Sequence, residues 1–302
     1  MKRIISLDGG GLRGLITAHV LDKLEQQTGK LIRESFDFVA GSSTGALQAS
    51  AICAGIPAAK MIEVYTTLTA KVFTPQGPLA DAAMVARGHK YDISNLRKVL
   101  EEVFGTQGTW TLNDSPIRLL LCARGANGHG WFFVQDRPRN AQTTGKLSLL
   151  DCATASAAAP TYFDPWYVAP LGGNLVGWCF DGGVGIAANP VYAACVEAFQ
   201  YDDFLPAQTR VVSLGTGFYP GGSTTPPAGL IPTIEWTIDT ILDAVNDEQT
   251  RAAQLHWPGV IKRFNWELPT AIAMDDLASI PELTKIGMAA AENFDWQAAL
   301  GE

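Results

Sequence analysis

Apolar residues follow two spacings along this chain: short unbroken runs that fit buried strands, and repeats every three to four residues that fit helices packed on them. Residues 3–7 are a run of the first kind, followed at once by Asp8-Gly-Gly-Gly-Leu-Arg-Gly14. Residues 15–27 then place Leu15, Ala18, Val20, Leu21 and Leu24 on one helical side, with Gly29 positioned as a cap. The scheme repeats over residues 36–40, which break into Gly41-Ser-Ser-Thr-Gly45 and continue as a helix of small residues to Gly55. The same reading predicts helices over 57–70, 92–104, 147–159, 189–199 and 233–257, and strands over 117–123, 131–135, 175–180 and 210–214. Residues 71–90, broken by Pro75, Gly77, Pro78 and Gly88, read as a surface loop or a lid.

Strands that alternate with helices predict an α/β fold on a mainly parallel sheet. In such a sheet the loops after the first two strands leave the same C-terminal edge and can face each other.

The 302 residues are 47% apolar and 17% charged, enough for a sizeable core. With no linker, repeat or like-charge block, one domain over 1–302 is expected, its chemistry within 1–217. The Gly- and Pro-rich stretch 217–232 reads as a loop. A net charge of −8 argues against nucleic acid as a partner. The five cysteines (Cys53, Cys122, Cys152, Cys179, Cys195) lack metal-ligand spacing and read as buried reduced thiols. No stretch is long and apolar enough for a membrane span, and the N-terminal run is too short for a signal peptide, so a cytosolic protein is expected.

A strand, a sharp turn carrying Ser43 between Gly41 and Gly45, and a helix make a nucleophile elbow, in which the glycines are expected to admit the strained turn. The first glycine loop serves two readings. Main-chain N–H groups of Gly9, Gly10 and Gly11, without Cβ atoms in the way, suit an oxyanion hole, and Arg13 brings a positive charge near it. Gly9, Gly11 and Gly14 also satisfy Gly-x-Gly-x-x-Gly, the dinucleotide-binding spacing, although the acidic residue that fold needs at the end of its second strand is here at the beginning, as Asp37. The strand over 175–180 ends in Asp181-Gly182-Gly183, an acid at the active edge if that strand is parallel to the others. Ser156, in a helix of small residues, reads as a packing serine.

Together these stretches resemble the patatin-like phospholipases, plant and bacterial lipid acyl hydrolases. Asp8 to Gly14 is similar to that family's oxyanion loop, Gly41 to Gly45 to its elbow, Ala155-Ser-Ala-Ala-Ala-Pro-Thr-Tyr-Phe163 to its small-residue helix end, and Asp181-Gly-Gly183 to its catalytic acid. One departure is Ala188-Asn189-Pro190 where similar proteins often carry Asn-Asn-Pro. The resemblance implies a three-layer α/β/α fold, a Ser43–Asp181 dyad, no metal or cofactor, and a lipid substrate met at a membrane surface. A Ser-His-Asp triad on an α/β-hydrolase fold would place its histidine after the acid, and His256 is the only one there. That fold also needs several strands before its elbow, where this chain has room for one. Three functions stay open: a phospholipid or lysophospholipid acyl hydrolase, an esterase or acyltransferase on neutral or carrier-bound acyl groups, and a non-catalytic lipid or nucleotide binder.

Overall fold

The structure, a computed structural model, describes residues 1–74, 87–140, 144–169, 176–185, 187–220, 228 and 247–301. From the N-terminus run β1 (Lys2–Leu7), α1 (Gly14–Thr28), α2 (Ile32–Ser35), β2 (Phe38–Ser42), α3 (Thr44–Ala54), α4 (Ala58–Glu63), α5 (Thr69–Val72), β3 (His89–Tyr91) and α6 (Ile93–Phe104). The middle adds β4 (Arg118–Gly125), β5 (Gly130–Val134), α7 (Leu149–Ser156), β6 (Thr161–Phe163), β7 (Trp166–Val168) and β8 (Gly177–Asp181). Then come α8 (Val191–Val196), β9 (Thr209–Leu214), a helical stretch over residues 247–256, β10 (Ile261–Phe264), α9 (Ile280–Glu292) and α10 (Trp296–Leu300).

The main sheet runs in the order β10-β9-β1-β2-β4-β8-β7, with β5 also paired to β4. Strands β10, β9, β1, β2 and β4 are parallel, and Leu7 sits level with both Gly41 and Leu214. That register brings the loops after β1, β2 and β9 to one edge. Helices cover both faces, so the central strands are buried on both sides, which is why they read as unbroken apolar runs and not as an alternation. One core joins Ile5, Leu7 and Val39 to the apolar sides of α1, α3, α6 and α7. The other joins Ile4, Phe38 and Leu120 to Val191, Ala194 and Ala253 on the opposite face. This is the three-layer α/β/α arrangement with a mainly parallel sheet.

Local signals account for the helix ends. Gly29 takes a left-handed conformation (φ 66°) with its N–H on Glu25 O, and Asp92 caps α6 by accepting the N–H of Ser94. The predicted helix over 57–70 is broken by a π-helical turn at Val64–Leu68. Of the predicted loop over 71–90, residues 75–86 lie outside the described residues, as do residues 233–246 of the predicted helix over 233–257. The strand expected over 175–180 is β8, and it is antiparallel to β4. β8 still reaches the active edge because it enters from the loop side: Asp181 pairs with Ala123, one residue beyond the Ser42–Cys122 pair where β2 leaves β4.

Candidate active site

Ser43 follows β2 directly, with φ 54° and ψ −126°, one of two non-glycine residues with positive φ among those described. Such a conformation costs on the order of 1–3 kcal/mol and persists where the surroundings enforce it. Gly41 and Gly45 are expected to admit the strained turn; neither has a positive φ, and the strained φ is that of Ser43 itself. Both are glycines for close approach. A Cβ on Gly41 would lie 2.6 Å from Ala46 N, and one on Gly45 would lie 2.7 Å from Asp8 O. The Ser43 N–H donates to Ser156 Oγ (3.0 Å), and Ser156 Oγ donates to Cys122 O (2.5 Å). α3 begins on the next residue, its N-terminal dipole directed at the serine.

Asp181 is 1% exposed, and one carboxylate oxygen accepts the N–H of Gly183 at 2.7 Å. Its other oxygen, Oδ2, is buried without a formed hydrogen bond, while the Ser43 hydroxyl is near enough to lower the carboxyl's pKa. Serine and acid are therefore close but not closed onto each other, as is common for catalytic pairs before substrate binds. Burial is the larger influence and raises the carboxyl from 3.8 to about 6. The loop is fixed by main chain, since Asp181 N–H donates to Ala158 O (2.9 Å) and Gly182 N–H to Ser156 O (3.2 Å). Gly182 is a glycine because a Cβ there would lie 2.7 Å from Ser42 Oγ. Residues 156–158 thus hold both Ser43 and Asp181 in place, a role the packing reading of Ser156 missed. A serine set between Ala155 and Ala157 was the available signal.

Raising this pKa has a cost in stability. The folded chain keeps the Asp181 proton over a range where the unfolded chain has lost it, so the folded state is favoured below pH 3.8 and loses that advantage as pH rises through about 6. Above this range the buried charge costs roughly 3 kcal/mol. Asp181→Asn is therefore expected to raise the melting temperature at about pH 8 and to leave it unchanged below pH 3.8. Calorimetric melts at both pH values check this, and equal gains at both would contradict it.

The first glycine loop departs from the expected donor set at one residue. Gly9 donates its N–H to Ala188 O (2.9 Å), so that donor is occupied by the loop carrying the Ala188-Asn189-Pro190 departure. The N–H groups of Gly10 and Gly11 have no acceptor among the described residues. Gly9 serves by shape: a Cβ there would press on Ser43 Cβ at 3.1 Å. Gly10 (φ 149°) and Gly11 (φ 57°) have positive φ, a region that glycine enters at the least cost. Arg13 is buried, not solvated, and its Nε donates to Gly10 O at 3.3 Å. The dinucleotide reading fails at the same loop. Leu12, Arg13 and Gly14 are buried, Leu12 N–H is taken by Met274 O, and a Cβ on Gly14 would lie 2.7 Å from Thr44 Oγ1, so no pyrophosphate can approach the start of α1.

Ser43 lines a cavity of about 120 Å³. Its walls are apolar, with Leu47, Val64, Leu96, Leu100, Phe104 and Phe163 among them. Gln48 crosses from α3 to Gly14 O (2.7 Å) and to Tyr65 OH (2.9 Å), which also bonds Thr44 Oγ1, tying α1, α3 and the π turn together. None of the four histidines lines the cavity. His256 is exposed, bonded to Ala252 O and packed on Tyr192 and Trp257. His256→Ala is expected to keep activity within about tenfold, where loss of a triad histidine would cost about 10⁴-fold or more; an ester assay on the purified variant decides. All five cysteines are free and buried, and burial pushes the Cys53, Cys179 and Cys195 thiols up to about 12. Among the described residues no group of three His, Cys, Asp or Glu side chains is arranged to hold a metal.

A family model described as patatin-like phospholipase matches residues 5–195. A "cGAMP-activated phospholipase" of Pseudomonas aeruginosa is 34% identical over 218 residues, which are 70% of this chain and 62% of that protein. A protein of the same description from Escherichia coli is 30% identical over 66% of this chain and 56% of its own length. "Patatin-like protein 2" of Arabidopsis thaliana is 28% identical over 99% of this chain and 81% of its own. The chain thus spans little more than half to under two thirds of the two bacterial relatives.

Proposed function

The chain belongs to the patatin-like phospholipase family, and from that premise we propose that it is a serine lipid acyl hydrolase that cleaves fatty acyl esters of glycerophospholipids or lysophospholipids through Ser43 and Asp181. The observation that carries this reading is the meeting of a strained serine, in the wall of an apolar cavity, with a buried, half-satisfied carboxylate. The cavity receives the acyl chain, which leaves the ester carbonyl beside Ser43. Asp181 Oδ2 takes the Oγ proton as Oγ bonds to the carbonyl carbon, and the carbonyl π electrons move onto oxygen. That oxyanion is held by the N–H groups of Gly10 and Gly11, with Arg13 fixing the loop through Gly10 O.

When the tetrahedral intermediate collapses, the C–O bond to the leaving alcohol breaks and Asp181 returns its proton to that oxygen. The acyl group remains on Ser43. Water then attacks the acyl-enzyme as Asp181 takes its proton; the second tetrahedral intermediate collapses with cleavage of the bond to Ser43 Oγ, Asp181 returns the proton to that oxygen, and the fatty acid is released. An ordinary aspartate is a weak base near neutrality, and the burial that raises Asp181 to about 6 brings it closer to the leaving proton's requirements. No step calls for a metal or cofactor.

The pH dependence follows from the same shift. Because Asp181 must be ionised to act as base, kcat/KM on a short-chain ester is expected to rise with pH to a plateau above about 6 and to fall about tenfold for each unit below it. A flat profile between about pH 5 and 8 would exclude Asp181 as the titrating base. Substrate class is tested by incubating wild type and Ser43→Ala with mixed phospholipid vesicles and profiling released lipids, with and without cGAMP, the activator named for the bacterial relatives. Ser43-dependent release of fatty acid and lysophospholipid is expected; hydrolysis confined to small neutral esters would reassign the chain as a general esterase. Lipids are met at a membrane surface in this reading, and no helix among the described residues is long and apolar enough to cross one.

A further inference from the structure

We propose that Arg263 is a positioning residue for the oxyanion loop, so that β10 completes a site whose sequence motifs all lie before residue 217. This rests on the role given above to Gly10 and Gly11. Asp8 is the root of their loop, and its side chain is fully buried. A lone carboxylate there would be costly, because desolvation penalises charge far more than neutral polarity. Arg263 Nη2 meets Asp8 Oδ2 at 2.5 Å, its side chain only 11% exposed, and Nη1 donates to Ser213 Oγ at 2.9 Å.

The register shows how a residue 255 positions away reaches the loop. Arg263 pairs with Ser213 across β10 and β9, and Ser213 pairs with Ser6 across β9 and β1. The guanidinium therefore passes over β9 to reach Asp8, two residues beyond Ser6. It crosses above Gly215, where a Cβ would lie 3.0 Å from Nη2. Its planar fork holds two acceptors at once, which an ammonium on a flexible stem does not reproduce. Neighbouring residues fasten the same loop: Thr216 Oγ1 donates to Gly9 O (2.7 Å) and Met274 O accepts Leu12 N–H (2.9 Å), while Asn265 Oδ1 accepts Gly217 N–H (2.8 Å) in the loop after β9 that carries Thr216. Any rotation of Asp8 would turn the Gly9 and Gly10 peptides that follow it and re-aim the oxyanion donors.

The test compares wild type with Arg263→Met, Arg263→Lys, Asp8→Asn and the Asp8→Asn/Arg263→Met double variant. For each, kcat and KM on a short-chain ester are measured together with amide hydrogen exchange of residues 9–13. Arg263→Met leaves Asp8 without this partner, and kcat is expected to fall at least about tenfold with KM within about threefold, since small misplacements of catalytic groups act on turnover. Exchange in residues 9–13 should quicken. The double variant, which removes both charges, should recover most of the lost kcat, and Arg263→Lys should lie between. A folded Arg263→Met protein with kcat within about threefold of wild type and unchanged exchange overturns the proposal. If the wild type shows no Ser43-dependent hydrolysis, the functional reading fails, and the exchange data still decide whether Arg263 holds the loop.

Discussion

Ser43→Ala and Asp181→Asn are each expected to lower ester hydrolysis by about 10⁴-fold or more, and the double variant to be no slower than the worse of the two. Non-additivity is the informative part. Ser43 Oγ cannot attack without losing its proton, and Asp181 Oδ2, buried beside it without a formed bond, is the acceptor in reach. Once either is gone the other has nothing to act on, so the second substitution removes nothing further. The Asn variant is the better probe of the acid, because it keeps an oxygen for the Gly183 N–H that bonds Asp181 Oδ1 and so preserves the loop. Turnover of all three variants and wild type, with melting curves to establish folding, makes the measurement. Losses that multiply in the double variant would mean that the two residues act independently, which the dyad cannot accommodate.

Gly10→Val should lower turnover by at least about 10²-fold, the cost of losing one oxyanion donor. Two physical causes act together. Gly10 has φ 149°, a backbone region that a β-branched residue adopts only under strain, and its added Cβ would lie 2.9 Å from Thr216 Cβ and closer still to Thr216 Oγ1. Thr216 cannot yield freely, because its hydroxyl donates to Gly9 O within the same loop. The loop must therefore move, and the Gly10 N–H loses its aim at the carbonyl beside Ser43. The effect is expected in kcat, with KM changed far less, because the donors act on charge that develops only in the transition state. Calorimetric titration of NAD and ATP accompanies the assay; tight nucleotide binding abolished by Gly10→Val, with no hydrolysis by the wild type, would restore the dinucleotide reading.

What the sequence determined by itself was whatever depends on neighbours along the chain. Apolar runs of strand length, the helical repeat after Gly14, the Gly29 and Asp92 caps and the paired glycine loops are local signals, and they suffice for an α/β fold with Ser43 and the Gly9 to Gly11 loop at one sheet edge. Asp181 was legible as an acid at a strand end, but its strand direction was not, because β7 and β8 join the sheet by pairing choices that no local pattern encodes. Tertiary structure alone decided the rest. Gly45 is required by Asp8 O, from the loop after β1, and the positive φ of the elbow falls on Ser43. Gly9 is excluded as a donor by Ala188 O, 179 residues later in the chain, and Arg263 reaches Asp8 only because β10 lies beside β9. The raised pKa of Asp181 is likewise a property of its burial, which depends on every element packed over it and is written in no single stretch of residues.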